Sequence, residues 1–120
     1  MKKLERVAAL VVKLGGNLDS LRGYGFRRVY TGSASGKIFI HDKKKVVVKQ
    51  SYFLADKKPK FAVYTRSVKI NGGKVIIQPL VRRQRARLAF IRLIDLGYQG
   101  KDHKASNCGW YRGKPVLIDW

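Results

Sequence analysis

Leu4, Val7, Ala8, Val11 and Leu14 recur at three- and four-residue steps between charged positions, the period of an amphipathic helix. The pattern predicts a helix over residues 2–14, stopped by Gly15-Gly16, with Lys13 beside the negative end of the helix dipole. Its basic, amphipathic character also suits a membrane surface, but packing on a core is the preferred reading. Residues 17–25 are rich in turn formers and leave room for one short helical turn. From Gly25 the period drops. Residues 26–30, 37–41, 45–54, 61–70 and 74–80 are rich in β-branched and aromatic residues and predict five successive antiparallel strands. Asn71-Gly72 between two of these runs suits a tight hairpin, because both residue types accept the positive φ such a turn requires. A second helix is predicted over 81–96, where Leu88, Ala89, Phe90, Ile91, Leu93, Ile94 and Leu96 form a wide apolar face before Gly97. Two short strands follow, at 108–111 and 115–118, turned at Arg112-Gly113. The expected fold is α+β: a five-stranded antiparallel sheet, an N-terminal helix, one Arg-rich helix and a C-terminal β-hairpin.

Length fits one small domain: 120 residues bury a real core but do not build two. Its parts are read as a helix and turn (1–24), an antiparallel sheet (25–80), and a helix, loop and hairpin (81–120). No apolar run approaches the roughly 20 residues that span a bilayer. Glu5 and Lys13 interrupt the N-terminal apolar pattern and no cleavage-site pattern follows, so no signal peptide is expected. A lone cysteine, Cys108, excludes an internal disulfide, and with two scattered His it does not make a structural zinc site. These features point to a cytoplasmic protein with no membrane partner.

Charge changes the picture more than any other bulk property. Twenty-seven Lys and Arg face seven acids, a formal net charge of +20. Such a surface attracts polyanions and loses that attraction in salt. Nucleic acid and an acidic protein surface both meet that description, and charge alone does not choose between them. Arg82, Arg83, Arg85 and Arg87 concentrate the effect: four cations in six residues with no acid among them suit polyanion contact. Trp110, Tyr111 and Trp120 suit packing of the terminal hairpin, and beside Arg and Lys they also suit base stacking.

The candidate chemistry lies in residues 102–119. Phosphoryl transfer from ATP needs positioning, metal ions against developing charge, and a carboxylate to orient the attacking hydroxyl. Asp102 supplies such a carboxylate and Lys104 a cation for the transferred group. Asn107 and Asp119 offer the hard oxygen ligands that Mg²⁺ takes. Upstream, Lys49 ends a Val-rich run, and Gly32 and Gly36 bracket a small-residue turn whose backbone N–H groups have room to approach phosphates. A P-loop does not fit, since only three residues separate these glycines and Ile38 stands where Ser or Thr belongs. Asp102 and Asn107 also have a plain reading as turn caps.

The set resembles the protein-kinase-like fold. Asp102-x-Lys104-x-x-Asn107 is similar to the kinase catalytic loop, and Val116-Leu-Ile-Asp119 to the strand ending in the metal-binding Asp. Val46-Val-Val-Lys49 is similar to the strand carrying the phosphate-binding Lys, and residues 31–38 stand where the glycine-rich loop belongs. The order along residues 25–119 most resembles the minimal serine/threonine kinases encoded by some bacteriophages. The resemblance implies a sheet like the kinase N-lobe, ATP and Mg²⁺ as cofactors, and action on a host protein in the bacterial cytoplasm. In that reading Asp102 and Lys104 are catalytic, Gly32, Gly36 and Lys49 bind nucleotide, and Asn107 and Asp119 hold metal. Departures from the family are specific. Thr31 and Ser33 replace the first two glycines of the loop, and no Glu follows Lys49 to pair with it. Residues for a C-terminal lobe are also missing from the pattern. The alternative expectation is therefore an inactive, pseudokinase-like basic protein that binds and inhibits a host enzyme or binds nucleic acid.

Overall fold

The alternation in the β-rich stretch is realised as a sheet in the computed structural model, which describes residues 2–29, 37–51, 60–70, 73–98 and 105–118. The chain divides into two units, Met1–Phe53 with Tyr64–Leu80 (unit 1) and Leu54–Val63 with Val81–Trp120 (unit 2). In unit 1, α1 (Lys2–Lys13) and a 3-10 segment (Leu18–Tyr24) precede β1 (Arg27–Val29), β2 (Ile38–His41), β3 (Val46–Ser51), β4 (Arg66–Ile70) and β5 (Gly73–Pro79). All neighbours are antiparallel and the order is β1-β2-β3-β5-β4, so β5 inserts between β3 and β4. The expected α+β fold with its five-stranded antiparallel sheet and C-terminal hairpin is therefore present.

Side-chain alternation decides which face α1 covers. Phe39, Val46, Val48, Val75 and Ile77 share one face and are fully buried with Leu4, Val7, Ala8 and Val11 of α1 and with Leu18, Leu21 and Phe26. Truncating a ring such as Phe39 to Ala in a core of this kind costs about 3–5 kcal/mol. Gly16 ends α1 with φ +79°, and a Cβ there would lie 2.9 Å from Cγ2 of Ile70, so the turn after the helix needs glycine for conformation and for space. Ile70 also pairs with Gly73, closing the β4–β5 hairpin across two residues as the Asn-Gly dipeptide predicts.

Unit 2 is built on a hairpin, β6 (Cys108–Tyr111) and β7 (Lys114–Leu117). Arg112 (φ 51°) and Gly113 (φ 76°) both take left-handed conformations at its two-residue turn, the geometry whose twist matches antiparallel strands. Two further segments extend the pair. Ala62 bridges Leu117 in parallel, and Arg82 bridges Trp110 in antiparallel fashion. α2 (Ala86–Asp95) lies on one face, burying Ala89 and Leu93 with Tyr98, Cys108 and Leu117. Val63, Val81 and Ile118 make a smaller cluster with Tyr111 and Val116.

Two expected elements change here. The strand expected over 61–70 is split: residues 61–63 serve β7, where Val63 N–H donates to Leu117 O (2.8 Å) and Leu117 N–H to Phe61 O (2.9 Å), and β4 begins only at Arg66. The helix expected from Val81 begins at Ala86. Arg82 is drawn into pairing with β6, and Arg85 takes a left-handed conformation (φ 58°) with no side-chain cap on the helix. Arg82, Arg83 and Arg85 thus precede the helix instead of forming its first turns.

Gly109 permits this pairing. A Cβ there would lie 2.3 Å from Cγ1 of Val81 and 2.9 Å from the backbone oxygen of Arg82. Because the second obstacle is backbone, Gly109→Ala should destabilise unit 2 by about 1–3 kcal/mol, the usual cost of overpacking. Both tryptophans, Trp110 and Trp120, belong to unit 2, so its unfolding is followed by tryptophan fluorescence in urea. The transition midpoint should fall for Gly109→Ala and stay in place for Gly23→Ala, where a Cβ meets nothing within 4 Å.

Candidate functional site

The face of the sheet opposite α1 carries Lys49. Strand register sets it between Ile38 of β2 and Ile76 of β5, with Val47 two residues back on the same face beside Ile40 and Gln78. Ile76 and Gln78 are buried, and Gln78 Nε2 donates to Thr65 Oγ1 at 3.1 Å. Lys49 itself is half-buried, so its aliphatic stem runs over apolar neighbours while its ammonium is carried at the stem's far end. A cation set in an apolar sheet face suits a ligand with a flat apolar part and an anionic tail.

The small-residue turn joins β1 to β2. Gly32 and Gly36 lie outside the described residues, but the strands at either end are defined. Val29 pairs with Ile38, and Ile38 pairs with Lys49, so β2 lies between β1 and the strand that carries that lysine. Its exit is anchored twice. Lys37 O accepts Gln50 N–H at 3.0 Å, and Lys37 Nζ donates to Asp19 Oδ2 at 2.6 Å. The hydrogen bond from Lys37 holds the Asp19 carboxyl below the ordinary aspartate value, with Arg28 and Arg22 adding to the effect. A second exposed pair, Arg27 Nε to Asp42 Oδ2 at 2.6 Å and Nη2 to Oδ1 at 3.0 Å, ties β1 to the β2–β3 turn and lowers Asp42 in the same way.

Of the residues expected in the catalytic loop and metal strand, Asp102, Lys104 and Asp119 lie outside the described residues. Asn107 is within them, at the end of a short 3-10 segment (Ala105–Asn107) that leads into β6. Its carbonyl oxygen accepts the N–H of Ile118 at 2.8 Å. The hairpin register, Cys108 opposite Leu117, therefore extends one step further and closes Asn107 onto the residue before Asp119. Lys49 belongs to unit 1 and Asn107 to unit 2.

Arg82, Arg83, Arg85 and Arg87 are all exposed. Arg82 donates from Nε (3.2 Å) and Nη2 (2.8 Å) to Gln84 Oε1, and Arg83 Nη2 donates to the backbone oxygen of Ser106. Both partners are neutral. The guanidinium groups are thus oriented without their charge being cancelled. Sequence reasoning did not find what lies beside them. Trp110 Nε1 donates to Arg85 O at 3.0 Å, and its ring borders an open groove of about 400 Å³ with Arg92, Asp95, Leu96, Gly113 and Pro115. The sequence signal for Trp110 was an aromatic beside basic residues; nothing local linked it to Arg92. Burial pushes the Cys108 thiol up, and its place with Ala89, Leu93 and Leu117 makes it a packing residue.

The Asp19–Lys37 pair gives a pH expectation. A depressed carboxylate contributes stability that is complete above its unfolded value and is lost as pH falls through the lower folded value. Carboxyl titration by NMR should place Asp19 below the ordinary aspartate range in the wild type, and Lys37→Met should raise it back toward that range. Unchanged titration in that variant would remove the pair as an anchor of the turn. Among the described residues no helix is long and apolar enough to cross a membrane. No family model, curated protein or solved structure matches the chain.

Proposed function

We propose that the chain is a minimal kinase-like protein that binds Mg-ATP and transfers the terminal phosphoryl group to a protein hydroxyl. The observation that carries the reading is the closure of Asn107 onto Ile118. Through the backbone carbonyl of Asn107 it draws together two points of the chain that are eleven residues apart, one carrying an amide side chain and the other preceding Asp119. An amide oxygen and a carboxylate are hard oxygen donors, the set Mg²⁺ selects. Asn107 and Asp119 would hold Mg²⁺, which would neutralise charge on the triphosphate.

The roles in the proposal follow the order of the motif residues along the sequence. Lys49 is assigned to phosphate oxygens, and Gly32 and Gly36 to the same phosphates. The half-buried apolar side chains of Ile38 and Val47 beside Lys49 suit the flat base of the nucleotide. Asp102 is assigned to orient the acceptor hydroxyl and take its proton as the terminal phosphoryl group passes to that oxygen, the β–γ bridging P–O bond breaks and ADP leaves. Lys104 balances charge on the transferred group. Glu5 is the sole Glu of the sequence, so no Glu downstream of Lys49 pairs with it as in the kinase pattern. Slow transfer is therefore expected, with binding retained more fully than catalysis.

Calorimetric titration with ATP tests the binding, with and without Mg²⁺. The wild type should bind more tightly with the metal, and Asp119→Ala should lose that metal-dependent gain, tenfold or more in affinity (about 1.4 kcal/mol). Lys49→Met should weaken binding in both conditions. Asp102→Asn should abolish transfer to a generic acceptor protein while leaving ATP affinity intact. Absence of ATP binding by the wild type in both conditions would sink the proposal.

A further inference from the structure

We infer that unit 2 carries a binding surface for single-stranded nucleic acid, with phosphates at Arg82, Arg85 and Arg87 and one base stacked on Trp110. This inference stands apart from nucleotide binding by Lys49 and does not require it. It begins with the arginines. Arg82 and Arg83 are held by oxygen atoms of Gln84 and Ser106, so their donors are aimed while their charge stays whole. Arg85 and Arg87 are exposed, and among the described residues of unit 2 the sole carboxylate is that of Asp95. Exposed guanidinium groups whose recorded partners among the described residues are neutral suit a repeated anion, and a phosphate backbone is one.

Trp110 supplies the second half. Its backbone pairs with Arg82 in both directions, Arg82 N–H to Trp110 O at 3.0 Å and Trp110 N–H to Arg82 O at 2.9 Å. Its indole N–H is spent on Arg85 O, which fixes the ring's orientation. The ring is therefore positioned before any ligand arrives, and the groove it borders is open enough for a base to enter. Arg82, Trp110 and Pro115 lie opposite one another on three adjacent chain segments, so Arg82 and the stacking ring share one face, while Arg83 lies on the Gly109 side. Arg92 brings a planar cation to the same groove.

Asp95 assigns the two parts their ligands. A carboxylate in the groove repels phosphate, so the groove takes a base and the backbone runs along the arginines. The same carboxylate accepts hydrogen bonds from exocyclic amines such as cytosine N4 or guanine N2. Stacking on an indole requires an unstacked base, which a single strand offers and a duplex does not. An acidic peptide satisfies the arginines but gains nothing from the groove's ring and meets Asp95 unfavourably.

The test uses a Trp120→Phe background, so that Trp110 is the one tryptophan, and a mixed-sequence single-stranded RNA twelve-mer. Binding is read by anisotropy of the labelled oligonucleotide and stacking by quenching of Trp110 fluorescence. Binding with quenching is expected, and Arg82→Gln/Arg85→Gln/Arg87→Gln should weaken it tenfold or more. That triple variant should also reduce the slope of log affinity against log salt by about 2, since each phosphate contact on a single strand contributes about 0.7. Arg92→Gln should reduce the quenching. Removing three cations elsewhere, with Lys2→Gln/Lys43→Gln/Lys44→Gln, should do much less. Anisotropy in the unaltered tryptophan background keeps the arginine comparison valid if Trp120→Phe disturbs folding. Equal binding and quenching by poly-glutamate would overturn the inference in favour of an acidic protein partner. Equal losses in the two triple variants, or duplex binding as well as the single strand, would reduce it to the bulk effect of the +20 charge.

Discussion

The alternation of β3 imposes the central constraint on unit 1. A six-residue strand in the middle of a sheet has two faces, and this one must satisfy opposite demands on them. Val46 and Val48 face α1 and are sealed in the core with Val75 and Ile77. Val47 and Lys49 face the other way, where Lys49 lies between Ile38 and Ile76. Because the period is two, a one-residue slip would put Lys49 into the α1 core and expel Val48. The core that stabilises the sheet is thus also what holds the lysine on the outer face. Packing and candidate chemistry are coupled by register, with no separate device needed to position the side chain.

Unit 2 depends on a close approach instead. Val81 and Arg82 reach β6 only because position 109 has no side chain, with Val81 Cγ1 occupying space a Cβ would need. Once Arg82 is paired, the following residues have three positions in which to turn into α2, and Arg85 does so in a left-handed conformation. Trp110 then bonds the carbonyl that this turn exposes. One absent methyl group therefore determines where α2 begins, where the arginines project and how the indole is held. The local strain of an αL arginine is offset by interactions it could not make inside a helix.

What could be read from the chain follows from the range of the forces involved. α1, the β1–β2–β3 run and the Asn-Gly hairpin have local signals, either periodic or a turn dipeptide, and their observed bounds differ from the expected ones by few residues. The split of the 61–70 run and the late start of α2 had none. Residues 61–63 look like strand and are strand-like, but their partner is Leu117, more than fifty positions away. Residues 81–85 contain no Ser, Thr, Asp or Asn to mark a helix start, so apolar period alone extended the helix backward. The candidate site divides in the same manner. Asn107 next to Ile118 follows from any hairpin turned at Arg112-Gly113. Trp110 beside Arg92 follows only from how α2 lies on β6 and β7, which no local pattern encodes.

The cationic surface then has a structural meaning beyond its net value. Twenty-seven basic residues repel one another, and a fold that merely tolerated them would pair them with its acids where it could. That pairing occurs in unit 1, where Asp19 and Asp42 each take a cation from the start of a neighbouring strand. Both of those pairs tie turns to the sheet, and their charges are largely spent on doing so. In unit 2 the arginines of residues 82 and 83 are fixed by an amide and a backbone carbonyl, acceptors that direct a guanidinium without discharging it. Self-repulsion among them is left for a ligand to relieve. Among the described residues, Asp19 and Asp42 thus serve structure in unit 1 while the partners of Arg82 and Arg83 in unit 2 are neutral, and this division leaves those arginines suited to an anion.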